Sequence, residues 1–248
     1  MSHPMKRFLA LLILPFITAA ATAQEAGLRD LTRSYSALEQ QARVAQARAL
    51  AAAAKQADFN RANQLLNEMV LSIMAANGIA PAGAAPARIE ENDEFQAYSA
   101  GDGSIVVYTG LLERVPDDEE LAFVLGHEIA HWTLHHAYYR RIEDRMMERA
   151  RWYYYLHGMT VESMQLQEAR AMESEADRQG MLYAAKAGYD VSRVGDFFVN
   201  VARYHKTNPR HPLPQTRGAE LQKFVPGAQA LRKSAPVDNL AEIQKLIK

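Results

Sequence analysis

Two histidines and a glutamate at fixed spacing carry the clearest chemistry in this chain. The run Gly126-His127-Glu128-Ile129-Ala130-His131 contains the pattern HExxH. On an α-helix, residues four apart share a face, so His127 and His131 can offer two imidazoles to one metal ion. Glu128 sits one position round, where it reaches a water activated by the metal instead of the metal itself. Two nitrogens plus one more ligand leave a fourth position open, the arrangement of a catalytic zinc site and not a structural one. Zinc lowers the pKa of water and polarises a peptide carbonyl, while a glutamate moves the proton. The chain has no cysteine. Disulfides and thiolate sites are therefore excluded, and one zinc per chain must be held by histidine and carboxylate.

The third ligand is not in the same motif. In HExxHxxGxxH it would be a final histidine, but Leu134 occupies the glycine position and Ala137 the last histidine position. On a straight continuation of the helix, Glu143 and Asp144 cannot return to the metal, and His135 lies a full turn beyond it. The best source is Glu173-Ser174-Glu175-Ala176-Asp177. Glu173 and Asp177 are four apart and share a face, and Gly180 on that side lets another helix approach closely. Burying two carboxylates together is costly unless a cation or donors compensate, which a zinc with two imidazoles does. Glu173 would bind the metal and Asp177 would accept the distal N–H of a ligand histidine. Glu175 points elsewhere, into solvent. His157 and His205 have no motif around them and read as surface residues.

Several elements must position these groups. Pro116 precedes Asp117, Asp118, Glu119 and Glu120, an acidic first turn, and Leu121, Val124, Leu125 and Ile129 then form an apolar stripe at helical spacing. Before it, Ala87 to Tyr98 and Ser104 to Tyr108 read as two strands around the turn Ala100-Gly101-Asp102-Gly103, followed by a short helical turn at Thr109 to Leu112. The Gln96-Ala97-Tyr98 stretch is a candidate edge for pairing with extended substrate. Leu28 to Asn77 predicts one long helix, or two with a soft break near Asp58, closed by Gly78 and a Pro/Gly-rich loop. Residues 140–167 are dense in arginine and aromatics and read as a lid over the cleft or as a peripheral membrane-contacting surface. Helices follow over Glu168 to Ala187 and Val191 to His205, then a loop forced by Pro209, Pro212 and Pro214, a helix from Thr216 and a last amphipathic piece from Val237 to Lys248. The expected fold class is mainly α with a small antiparallel β-sheet (α+β).

The totals of 248 residues, 48% apolar and 23% charged suit a globular protein. A net charge of −1 with no basic stripe excludes nucleic acid as a partner. Lys6 and Arg7, the apolar run Phe8 to Ala20 and the Ala21-Thr22-Ala23 site predict a signal peptide over residues 1–23, cleaved after Ala23, and export to a bacterial periplasm. Its removal takes the net charge to −3. Residues 24–80 then form an N-terminal helical segment and 81–248 a metalloprotease domain, with 24–248 as one compact unit.

With these motifs in hand, the chain resembles the HtpX and CAAX-prenyl-protease class of zinc metalloproteases, nearest its soluble periplasmic, BepA- and LoiP-like members. The likeness rests on Gly110-Leu111-Leu112, Glu120-Leu121-Ala122, the HExxH run, Glu173 through Asp177, and His211-Pro212-Leu213-Pro214 through Arg217. It implies a gluzincin-type HExxH domain with His127, His131 and Glu173 as ligands and Glu128 as general base. It also implies that His211 approaches the zinc, either as a gate on the open position or as an oxyanion donor, and that His136 stands at a common family position. The chain departs from the pattern at Gln96, where an asparagine is usual, and it lacks multi-spanning membrane helices and a helical-repeat tail. The implied function is a zinc-dependent endopeptidase that degrades misfolded or misassembled envelope proteins. The alternative is a chaperone or assembly factor with a latent, closed zinc site. The sequence does not specify the oligomer.

Overall fold

A computed structural model describes residues 3–100, 102–204, 213–233 and 235–248; the side chains of 3–29, 31, 32 and 35 are not among the described ones. The side chains of the expected signal peptide therefore lie outside the described residues, as do Gly101, His205, and residues 206–212 of the proline loop. Ten helices and three strands are described: α1 (His3–Ala76), β1 (Ala87–Glu90), β2 (Ala97–Ser99), β3 (Ile105–Tyr108), α2 (Thr109–Leu112), α3 (Asp118–Thr133), α4 (His136–Arg149), α5 (Arg151–Leu156), α6 (Val161–Lys186), α7 (Val194–Tyr204), α8 (Pro214–Gln222), α9 (Val225–Gln229) and α10 (Leu240–Leu246). Among the described residues, no helix is long and apolar enough to cross a membrane.

The chain divides into two compact units, Met1–Ala57 and Asp58–Lys248. The first is helical, and its Leu38, Val44 and Leu50 are exposed. The second holds the core. It begins with the last turns of α1, where Leu65, Leu66, Met69, Val70, Ile73 and Met74 are buried at helical spacing. Gly78, with φ of +66°, closes that helix.

The sheet shows how local hydrogen bonding overrides a simple hairpin. The stretch expected as one strand from Ala87 to Tyr98 is two, β1 and β2, with β3 between them. Asn92 causes the interruption. Its N–H donates to Thr109 Oγ1 at 3.1 Å, its Oδ1 accepts from Glu94 N at 2.9 Å, and its carbonyl accepts from Gly110 N at 2.8 Å. The chain thus crosses the start of α2 before returning as β2. A Cβ on Gly110 would lie 2.3 Å from the Asp93 backbone, so only glycine permits the crossing. The mainly helical class with a small sheet stands, but the sheet is mixed: β2 pairs antiparallel with β3, while β1 pairs parallel with it.

Both outer edges of this sheet matter. On β1, Asn67 accepts from Ala87 N at 2.9 Å and donates to Ala87 O at 2.7 Å, and Asn63 accepts from Ile89 N at 2.7 Å. Two asparagines of α1 thus occupy the edge where an extra strand could add. On β2, Gln96 O and Ala100 N bond toward β3. Alternation then turns the N–H and C=O of Ala97 and Ser99 away from β3.

Candidate metal centre

The helix that carries HExxH begins as the sequence predicts. Asp117 caps α3 by accepting from Glu120 N at 2.9 Å, and Leu121, Val124, Leu125 and Ile129 are buried along one stripe. Its end differs from expectation. The helix does not run on through residues 140–145. It stops at Leu134, and His135 adopts φ of +57°, in the left-handed region, before α4 starts at His136. Histidine is among the few non-glycine residues enriched there. The turn brings the exposed His135 outward and the buried His136 back toward the site.

The second carboxylate-bearing helix, α6, starts earlier than expected, at Val161, because Thr160 and Ser163 form a reciprocal capping box. It packs directly on α3 where two glycines meet. A Cβ on Gly126 would lie 2.5 Å from Gly180 O, and one on Gly180 would lie 2.5 Å from His127 N. The approach predicted for Gly180 therefore has a counterpart in Gly126, inside the HExxH run itself.

This approach brings the ligand candidates together. Atoms of His127, His131 and Glu173 all lie within 4.8 Å of one another. The Nε2 atoms of the two histidines are 3.0 Å apart, Glu173 Oε2 is 3.5 Å from His127 Nε2, and Glu173 Oε1 is 3.4 Å from His131 Nε2. Ligands at 2.0–2.2 Å in a tetrahedron are separated by about 3.3–3.6 Å. The three groups converge to near that spacing, and a donor set of two imidazoles and a carboxylate fits zinc.

The distal nitrogens are also approached. His127 Nδ1 lies 3.0 Å from Asp177 Oδ1, with the ring N–H not yet aligned on it. His131 Nδ1 lies 2.9 Å from His136 Nδ1, and His136 Nε2 is 3.5 Å from Glu175 Oε2. Glu175, about half exposed, is thus solvated as expected yet still near this second ring. Burial works against a charge on His127, but Asp177 and Glu173 outweigh it and push its pKa up to about 10. Burial holds His131 below the ordinary histidine range, and the charges of His127 and Arg140 act in the same sense. Burial likewise lowers His136, and its neighbour His131 adds to the effect.

Arg217 is the residue that sequence reasoning missed. Its guanidinium donates to both oxygens of Asp177, at 2.7 and 2.6 Å, approaches Glu173 Oε2 at 3.5 Å, and stacks 4.9 Å from the Phe198 ring. Burial opposes ionisation of Asp177, but Arg217 and His127 hold its carboxyl below the usual range. The pair lies 40 residues apart in sequence. The only signal was the place of Arg217 at the end of the His-Pro motif. His211 itself lies outside the described residues.

A cleft opens over these groups, lined by Gln96 to Ser99 of the β2 strand region, by His127, Glu128, His131 and Glu173, and by His136, Ala137 and Arg140 of α4. The edge stretch singled out for substrate therefore faces the candidate metal ligands. Residues 140–167 divide between α4, α5 and the first turns of α6; α4 forms one wall of the cleft, and Trp152, Tyr155 and Leu156 are exposed beyond it.

The chain is 29% identical over 175 residues to the mitochondrial metalloendopeptidase OMA1 of Bos taurus, covering 59% of this chain and 33% of that protein. It is 28% identical over 152 residues to the beta-barrel assembly-enhancing protease of Yersinia pestis, covering 51% and 31%. To the protein of that name from Escherichia coli K12 it is 26% identical over 156 residues, covering 52% and 32%. The chain spans about a third of the length of the curated relatives it matches. The sequence pattern of peptidase family M48 matches residues 60–225, a span that takes in α3, α6 and Arg217 alike. The chain therefore belongs to peptidase family M48.

Proposed function

We propose that this chain is a zinc-dependent endopeptidase of the bacterial cell envelope that degrades misfolded or misassembled proteins. The observation that carries this reading is the spacing of His127, His131 and Glu173, at 3.0 to 3.5 Å, close to that around one tetrahedral metal. Zinc held there supplies Lewis acidity, polarising a peptide carbonyl and making water acidic. The chain's own residues do the rest. Glu128, in the same cleft, takes the proton from the attacking water and returns it to the leaving amine. Asp177, fixed by Arg217, orients His127, and His136 orients His131. The edge of β2 holds an extended polypeptide beside them. His211 is assigned, by the resemblance, as a gate that occupies the open metal position; its replacement by alanine should then raise turnover.

Export rests on the signal peptide read over residues 1–23, and the envelope substrates rest on the likeness to the beta-barrel assembly-enhancing proteases. Degradation of casein by the purified chain, with and without a chelator, tests the reading. The Glu128→Gln variant should keep its zinc and lose at least ~10²-fold in turnover. Casein cleavage indifferent to the chelator would overturn the metal mechanism. Suppression of aggregation by the same variant, without cleavage by the wild type, would favour the assembly-factor alternative.

A further inference from the structure

Beyond the effect of its charge on His131, Arg140 has no role in the site as described, yet it lines the cleft. It is half-buried, and its Nε is buried without a hydrogen-bond partner. Among the described residues, no carboxylate lies within ion-pairing distance of its guanidinium. Arg140 also borders a second hollow with Glu143, Asp144 and Glu168, where Asp144 accepts from Gln165 at 2.9 Å. Taking a guanidinium partly out of water without a partner is unfavourable, and the deficit is relieved by any carboxylate that enters the cleft. Every other cation at this site is already matched, as Arg217 is by Asp177.

The placement says where that carboxylate would be. His136 and Arg140 are four apart on α4 and share a face. His136 touches the ligand His131, so Arg140 stands about 6 Å further along the helix axis. An extended chain along β2 advances about 3.3 Å per residue. We propose that Arg140 is a specificity-determining residue that recognises a substrate carboxylate within about three residues of the cleaved bond. The inference rests on the peptidase reading above. The carboxylate is an aspartate or glutamate side chain or the free carboxyl end of the polypeptide.

Two readouts separate these possibilities. Casein-derived, C-terminally amidated peptides would carry glutamate, glutamine or lysine in turn at three positions on each side of the cleaved bond, and a matched set would end in a free carboxylate near it. Cleavage by the wild type is compared as kcat/KM ratios, and binding to the Glu128→Gln protein is measured by fluorescence anisotropy. The expected result is a preference of about tenfold for one carboxylate-bearing peptide over its neutral partner. Arg140→Gln should abolish that preference, and Arg140→Glu should shift it toward lysine. Preference confined to the free-end set would identify the chain terminus as the source and support the proposal equally. A wild type that treats glutamate and glutamine alike in both sets, or a preference that survives in Arg140→Gln, would overturn it. Arg140-dependent binding with no cleavage by the wild type would leave only carboxylate recognition by Arg140 standing, and would overturn the peptidase reading and the cleavage specificity that rests on it.

Discussion

Replacing Gly180 by alanine tests the joint on which the whole centre depends. The added Cβ would lie 2.5 Å from the backbone N of His127 and 2.6 Å from its Cα. Ordinary carbon contacts are about 3.5 Å, so the two helices must part by roughly 1 Å, and neither atom belongs to a flexible side chain. Glu173 lies on the same face of α6, about two turns away, and moves with that helix. Metal sites tolerate displacements of about 0.2 Å. Two losses should therefore appear together. Overpacking should cost about 1–3 kcal/mol, or roughly 2–12 °C in melting temperature for a unit of this size. Zinc affinity should fall ~10–100-fold, as when a group that positions a ligand is disturbed. Scanning calorimetry in chelator reads the first, and competition with a chromophoric chelator reads the second. Gly227→Ala is the control, since a Cβ there meets nothing within 4 Å. An alanine variant at 180 that melts and binds zinc like the wild type would refute the argument. One that is destabilised but binds normally would show that the strain does not reach the ligands.

Three further outcomes follow from the same geometry. Glu173→Ala should strip the zinc while Glu175→Ala, at an exposed carboxylate, should leave metal content near that of the wild type; elemental analysis after dialysis decides, and the reverse ranking would assign the wrong face of α6. Arg217→Met leaves the buried Asp177 without its bidentate partner and should cost about 3–5 kcal/mol in urea unfolding, with Arg217→Lys between it and the wild type; an unchanged midpoint would mean the pair is not the anchor it looks to be. Glu120 is buried against Asn200, and burial raises its pKa above the usual 4.5. A raised carboxyl favours the protonated fold, so wild-type stability should fall as pH climbs from 4.5 through the raised value; Glu120→Gln should lack that loss, and parallel stability curves from denaturation in chelator would contradict it.

What could be read directly from the amino acids was whatever repeats within a few residues. The 3.6-residue period placed His127 with His131 and Glu173 with Asp177, Asp117 marked the start of α3, and Gly180 marked a close approach, because each depends on chain neighbours alone. The expected run of α3 past residue 134 failed on a single residue, His135, whose left-handed turn is a weak local preference made stable by the burial of His136 behind it. The strand expected from Ala87 to Tyr98 failed because Asn92 found better partners in Thr109 and Gly110, seventeen and eighteen positions away. The pairing of Arg217 with Asp177, the contact of His136 with His131 and the meeting of α4 and the β2 edge across one cleft were decided by tertiary structure. A buried charge selects its partner by desolvation and by the geometry of approach, and neither quantity is written in the spacing of residues along the chain.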